Sequence, residues 1–353
     1  MPRNTLLTLS WAALLAAFTL VLGCQKQHLH KEAVRGLIED PYPVAPNTLP
    51  PALRMLVWSD TILDEVKVGF EKRYGVKLEI DTFLTNDEAY DRLAKTPTKW
   101  DLIMVSQYMA DRMRREDLLI PVQRLNDFIY QYIDTSVLNE QADPHMQYFV
   151  PFDYTALGVS FNIEYMPGFP RKWDYLTAHK SIPFIFGRIA MPDDMRYALA
   201  AAMLYLGIDP ASTSPQNLEM AKEMLIANVK TCGLRFIPDE KIKSEMMNND
   251  VLLAITWSAE AAGILRERSN CRFLVPEGKC IMTVDGFSIP KGAPSPEAAA
   301  LFIEFMLHPY NSLVVANRTL YPSVNMRSMK HADRFLINGP SCMLAAPTDR
   351  VHM

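Results

Sequence analysis

The chain has 353 residues, of which 49% are hydrophobic and 22% charged, enough apolar surface to bury a core and to exclude a disordered chain. Its 25 prolines beside only 14 glycines exclude a collagen-like repeat, and at roughly 100–200 residues per domain the length points to two domains. With 36 basic against 40 acidic side chains, net charge −4, it lacks the clustered positive excess of a nucleic-acid binder.

The first element is not part of the fold. Arg3 and an apolar run from Leu6 to Leu22 read as an export signal, with an uncleaved membrane anchor as the alternative. Val21-Leu22-Gly23-Cys24 favours cleavage, because it resembles the bacterial lipobox, in which a small residue precedes a cysteine that is lipidated afterwards. Residues 1–23 are then a signal peptide and Cys24 the lipidation site. Several acyl chains at one residue suffice for stable membrane attachment without a spanning helix. Residues 24–52, which contain Pro41, Pro43, Pro46, Pro50 and Pro51, read as a semi-rigid tether.

Regular structure starts at Leu53. Arg54–Trp58 reads as a strand; residues 61–74, with Ile62, Val66 and Phe70 at four-residue spacing, as an amphipathic helix stopped by Gly75. Val76, Leu78 and Ile80 alternate as a second strand, Asn86 is placed to cap a short helix, and Asp101–Val105 is a third strand. This β-α-β-α-β order predicts a mostly parallel sheet covered by helices. In the second half, residues 194–206 and 216–227 read as helices, Leu252–Trp257 as a buried strand, and Ser258-Ala259-Glu260 as the start of the next helix. Ser295-Pro296 opens a helix through Leu307, ended by Pro309. Cys232, Cys271, Cys280 and Cys342 remain after Cys24. Cys271 and Cys280 flank a turn at Pro276-Glu277-Gly278 and are the first candidates for a bridge, with four separate thiols as the alternative.

In open α/β sheets ligands bind beyond the carboxyl ends of the strands. Trp58-Ser59-Asp60 follows the first strand, Ser106-Gln107-Tyr108 the third, Trp257 and Glu260 the strand at 252–256, and Asp285 the run Ile281–Val284. Each alone reads as a core-rim aromatic or a helix-capping acid. Four together point to one pocket, and carboxylates beside flat rings suit a cation with an apolar stem.

Several stretches resemble the spermidine/putrescine-binding proteins of ABC importers. They include Leu53-Arg54-Met55-Leu56-Val57-Trp58-Ser59-Asp60, Phe70-Glu71-Lys72-Arg73-Tyr74-Gly75-Val76, Tyr90-Asp91-Arg92-Leu93 and Trp100-Asp101-Leu102-Ile103-Met104-Val105-Ser106. Thr155-Ala156-Leu157-Gly158-Val159 and Asp285-Gly286-Phe287-Ser288-Ile289-Pro290-Lys291-Gly292-Ala293 extend the resemblance in consistent order over residues 53–326. It implies a type II periplasmic-binding-protein fold: two α/β lobes with a ligand cleft between them, crossed near residues 155, 285 and 327. Lobe 1 would comprise 53–155 and 285–327, lobe 2 156–284 and 328–353. The resemblance implies a polyamine ligand held by Trp58, Ser59, Asp60, Ser106, Tyr108, Asp194, Trp257, Glu260, Asp285 and Tyr321. It further implies an ABC permease and ATPase as partners, a monomeric body, and no metal or cofactor. Tyr197 stands where the family often has a glutamate, and Thr283 where it has an aromatic; both weaken the case for the usual spermidine geometry, while Asp60, Glu260 and Asp285 leave a short diamine such as putrescine open. Asp153 is an extra acid near the first crossover, either compensating for these changes or capping a turn and facing water.

Neither a Gly-x-Ser-x-Gly elbow, a His-Glu-x-x-His motif nor a Gly-rich phosphate loop is present, so a tethered hydrolase is the weaker alternative. A sensor or envelope-interaction protein on the same fold is the other.

Overall fold

A computed structural model describes residues 37–38, 40–59, 61–125, 127–139, 142–143, 145–166, 173, 183–342 and 349–352. The signal peptide, Cys24 and Asp60 lie outside the described residues. A short N-terminal unit ends at Tyr42, and the body runs from Pro43 onward. Pro43 is buried, and its carbonyl accepts a 2.8 Å hydrogen bond from the Tyr74 hydroxyl.

Strand β1 (Ala52–Trp58) buries Leu53, Met55, Leu56 and Val57, the near-continuous apolar run of a strand covered on both faces. Helix α1 (Asp64–Tyr74) turns Val66 and Phe70 inward and stops at Gly75, whose φ of 70° supplies the left-handed cap. Strand β2 (Lys77–Phe83), helix α2 (Asn86–Lys95) and strand β3 (Leu102–Ser106) complete the expected β-α-β-α-β order, with β1 parallel to both neighbours. One detail differs from the sequence expectation. Thr85 caps α2 by accepting from the Glu88 N–H, while Asn86 turns inward and exchanges two 3.0 Å hydrogen bonds with Ser106. An amide offers both a donor and an acceptor, so it satisfies the buried Ser106 hydroxyl and N–H together.

Helix α3 (Gln107–Arg115), strand β4 (Leu119–Ile120) and helix α4 (Asp127–Tyr130) lead to the 13-residue strand β5 (Val150–Asn162). Next come β6 (Ile189–Pro192), α5 (Met195–Tyr205), α6 (Pro215–Cys232), β7 (Arg235–Ile237) and α7 (Asp239–Asn248). They are followed by β8 (Leu253–Trp257), α8 (Ser258–Glu267), β9 (Cys271–Leu274) and the 11-residue strand β10 (Cys280–Pro290). The chain closes with α9 (Pro296–Leu307), α10 (Pro309–Thr319), α11 (Met326–Met329), α12 (Arg334–Asn338) and β11 (Arg350–His352).

Three further expectations are corrected. Pro309 ends α9 but also begins α10 at an angle of 69°, because a missing N–H costs nothing at a first helical position. Ser295 sits at the N-cap of α9 without a side-chain cap bond; instead its N–H donates to Asp101, which also accepts from the Arg54 N–H. Cys271 carries a buried free thiol, so the candidate bridge to Cys280 is not formed, and the Cys280 thiol faces the Leu157 carbonyl. The turn between them is present, with Gly278 at φ 97°.

The strands follow the order β2-β1-β3-β10-β5-β8-β6-β7. Strands β5 and β10 lie antiparallel at the centre. The first half of β5 pairs with β10 and its second half with β8 and β9, while β10 continues past β5 to pair with β3 and β4. Their pairing shifts register between Asp285 and Gly286, leaving Phe152 as the extra residue of a bulge. An aromatic column braces this point: Phe152 meets Phe287 at 5.4 Å, Phe287 meets Phe302 at 6.1 Å, and Phe302 meets Phe70 at 5.0 Å. Helix α9 supplies Phe302 and is buried from Ala298 through Leu307, so it fills the core rather than covering it.

Gly286 has no room for a side chain, since a Cβ there would lie 2.3 Å from the Val150 carbonyl oxygen of β5. Gly286→Ala should therefore destabilise the fold by about 1–3 kcal/mol, read as a lowered midpoint in urea denaturation.

Candidate functional site

A cleft of about 660 Å³ opens where the strands end, within the usual range for small-ligand sites. Strand β1 brings Trp58 and Ser59 to it, β3 brings Ser106, and β10 brings Thr283 and Asp285. Asp194, after β6, lines it while capping α5 by accepting from the Arg196 and Tyr197 N–H groups. Trp257 ends β8, Glu260 sits in the first turn of α8, and Tyr321 follows α10; all three line the same space. Of the residues singled out in the sequence, Asp60 lies outside the described residues. Tyr108 is not among the lining residues; its ring packs under the Arg196 guanidinium at 4.3 Å.

The floor of the cleft is a row across three adjacent strands. Ser106 on β3, Asp285 on β10 and Asp153 on β5 stand opposite one another in register. The Ser106 hydroxyl donates to Asp285 Oδ1 at 2.5 Å and accepts from Asn86 Nδ2 at 3.0 Å. Asp153 therefore neither faces water nor caps a turn: it is 7% exposed, and its Oδ1 has no hydrogen-bond partner. Thr155 and Thr283 form the next row, with the same facing positions. The walls are aromatic. Tyr197 meets Trp257 edge-on at 4.7 Å, and Trp58 lies 4.4 Å from Phe83.

The electrostatics of the cleft are one-sided. Among the described residues, seven carboxylates line it, against two cationic groups, Lys243 and Arg318. Lys243 is bonded to Glu267 at 2.6 Å, and Arg318, 74% exposed, approaches Glu65. Burial pushes the Asp285 carboxyl up to about 6 against the pull of the Ser106 hydroxyl. Burial and the Asp285 charge push Asp153 well above the ordinary carboxylate range. A second acid pair lies beyond Tyr321, whose hydroxyl donates to Glu260 Oε1 at 3.2 Å. There burial, with the neighbouring Glu260 charge, raises Asp239 to about 7. Burial likewise raises Asp194.

Asp239 escaped the sequence reading because the strand before it, Arg235-Phe236-Ile237, is only three residues long and opens on a charge, so no long apolar run marked a strand end. What such a cleft does chemically is hold cations: its acids neutralise positive charge and its rings cover methylenes.

A family model described as bacterial extracellular solute-binding protein matches residues 66–332. The spermidine/putrescine-binding periplasmic protein of Salmonella typhimurium is 24% identical over 278 residues, 77% of each chain. Two solved structures share the fold. The spermidine/putrescine ABC transporter substrate-binding protein PotD of Streptococcus pneumoniae superimposes with a TM-score of 0.68 at 27% identity, covering 83% of this chain and 88% of that one. The Tp0655 (TpPotD) lipoprotein of Treponema pallidum gives 0.72 at 24% identity, covering 80% and 88%.

The raised carboxyls tie stability to pH. An acid whose folded pKa is raised contributes stability below its unfolded value and loses it as pH climbs through the folded value. Asp285→Asn removes that loss, so the variant should gain on wild type between pH 5 and 7.5. The expected gain is on the order of 1–2 kcal/mol, measured by urea denaturation at the two pH values.

Proposed function

The chain belongs to the bacterial extracellular solute-binding protein family, and from that premise we propose that it captures a linear polyamine and delivers it to an ABC permease. The observation that carries this reading is the pairing, in one cleft, of seven carboxylates with Trp58, Trp257 and Tyr321 while its two cations sit against other acids. An anionic or neutral solute would leave the facing floor acids Asp153 and Asp285 without a counter-charge, at a cost of several kcal/mol. A polyamine supplies a cation to each acid cluster and methylenes to the rings. Relatives with spermidine and putrescine in their names support the same class.

In this reading Asp285, Glu260 and Asp194, with Asp60, neutralise the ammonium groups, and Trp58, Trp257 and Tyr321 sheathe the stem. Ser106 holds Asp285, and Ser59 adds a hydroxyl. Tyr108 acts from behind, positioning Arg196 and the α5 terminus. The lobes 53–155 with 285–327 and 156–284 with 328–353 close over the ligand, and the closed form docks on the permease. Cys24, lipidated after removal of residues 1–23, anchors the body to the membrane outside the cytoplasm. The run Leu6–Leu22 and the Gly23-Cys24 junction support that anchor.

Titration calorimetry with putrescine, spermidine and spermine tests the ligand: heat with at least one is expected, and none with all three would refute it. Asp285→Asn should weaken binding by ~2–4 kcal/mol, ~30- to ~1000-fold, by removing the partner of a buried charge. Cys24→Ala should move the protein from the membrane to the soluble fraction and abolish palmitate labelling.

A further inference from the structure

Asp153 has no structural task that requires a carboxylate. It stands directly opposite Asp285 on the β5–β10 pair, and side chains at opposite positions of antiparallel strands share a face. Both line the cleft. Ser106 satisfies one oxygen of Asp285, yet Asp153 Oδ1, buried, has no donor. The groups that face the pair supply no positive charge. They are Ser106 from β3, Tyr197 from α5, Ser323 and Tyr321 after α10, and, beyond Tyr321, Glu260 of α8 and Asp239 of α7. An asparagine would fill the position without the charge. A carboxylate kept here, aimed into a ligand cleft, requires a cation from outside.

We propose that Asp153 is a ligand-contact residue that completes, with Asp285, a two-carboxylate seat for one primary ammonium group of the bound amine. The proposal rests on the polyamine reading and adds to it a second acid on the cleft floor, directly opposite Asp285. Ser106, held by Asn86, orients Asp285 so that the ammonium donates to both acids at once.

The empty seat cannot carry two bare charges side by side, so it holds a proton on the pair. Binding exchanges it: the Asp153–Asp285 carboxyl loses its proton to solvent, and the incoming ammonium keeps all of its own. Burial and the Asp285 charge hold the Asp153 carboxyl well above its usual range, so the pair keeps its proton until a cation displaces it. Affinity therefore rises as the pH rises, until the pair has no proton left to give.

The experiment is calorimetric titration of the full chain, in detergent, with putrescine at pH 6, 7 and 8, in phosphate and in Tris, whose ionisation heats differ. Wild type and Asp153→Asn are compared; Asp239, with its carboxyl near 7, adds a pH dependence common to both. The wild type should release up to one more proton per ligand than the variant. The variant should bind at least tenfold more weakly at pH 8, with the gap closing toward pH 6. Asp153→Ser is carried in parallel, so a folding failure of one variant leaves the other to decide. Equal affinities and equal proton release would overturn the seat, as would a uniform weakening with unchanged proton release. No binding by wild type of putrescine, spermidine or spermine would overturn the polyamine reading and the seat with it, a result distinct from the first two.

Discussion

Two carboxylates face each other across a pair of antiparallel strands at the floor of the cleft, and the surrounding structure is organised around the cost of that placement. Asp285 has a hydroxyl to lean on; Asp153 has none. Another buried acid of the body is fully engaged: Asp101, 1% exposed, receives two backbone N–H groups and stabilises the start of α9. The contrast separates two uses of the same side chain. One acid ties secondary structure together, and the other is left with an unmet requirement at a place a solute can reach.

Holding such a pair demands a rigid floor. The bulge at Phe152 disturbs the β5–β10 ladder beside Asp285, and the Phe152–Phe287–Phe302–Phe70 column packs underneath it. Gly286 lets the two backbones approach at the same level. Local disruption above is thus supported by dense apolar contact below, each aromatic pair adding about 0.5–1.5 kcal/mol beyond the area it buries. Strands β5 and β10 each reach into both halves of the sheet, so the acids sit where the two halves share backbone.

Much of this was legible in the sequence because parallel strands buried on both faces are written as apolar runs. Leu102–Val105 and Leu253–Ile255 announced themselves, and the polar residues just after them lie in the cleft. The rule failed where strands carry polar residues. Asp239 follows the three-residue strand Arg235-Phe236-Ile237, which opens on a charge, and Asp153 lies inside a long strand rather than at its end. Tyr108 is placed differently from the other strand-end residues: two positions past the end of β3 a helix has already begun, and its ring packs on the Arg196 guanidinium. The thiol pattern was undecidable from spacing alone, because flanking a turn does not bring two side chains to bonding geometry.

The lining of the cleft also governs how the whole molecule behaves in an electric field. Among the described residues its acids outnumber its cations even with a proton on the Asp153–Asp285 pair, so the cleft concentrates negative charge on a chain whose net charge is only −4. Low-dielectric walls lined by one sign of charge focus that field at the binding mouth. Within about a Debye length, roughly 8 Å at physiological ionic strength, a small cation is drawn to the one place that can hold it.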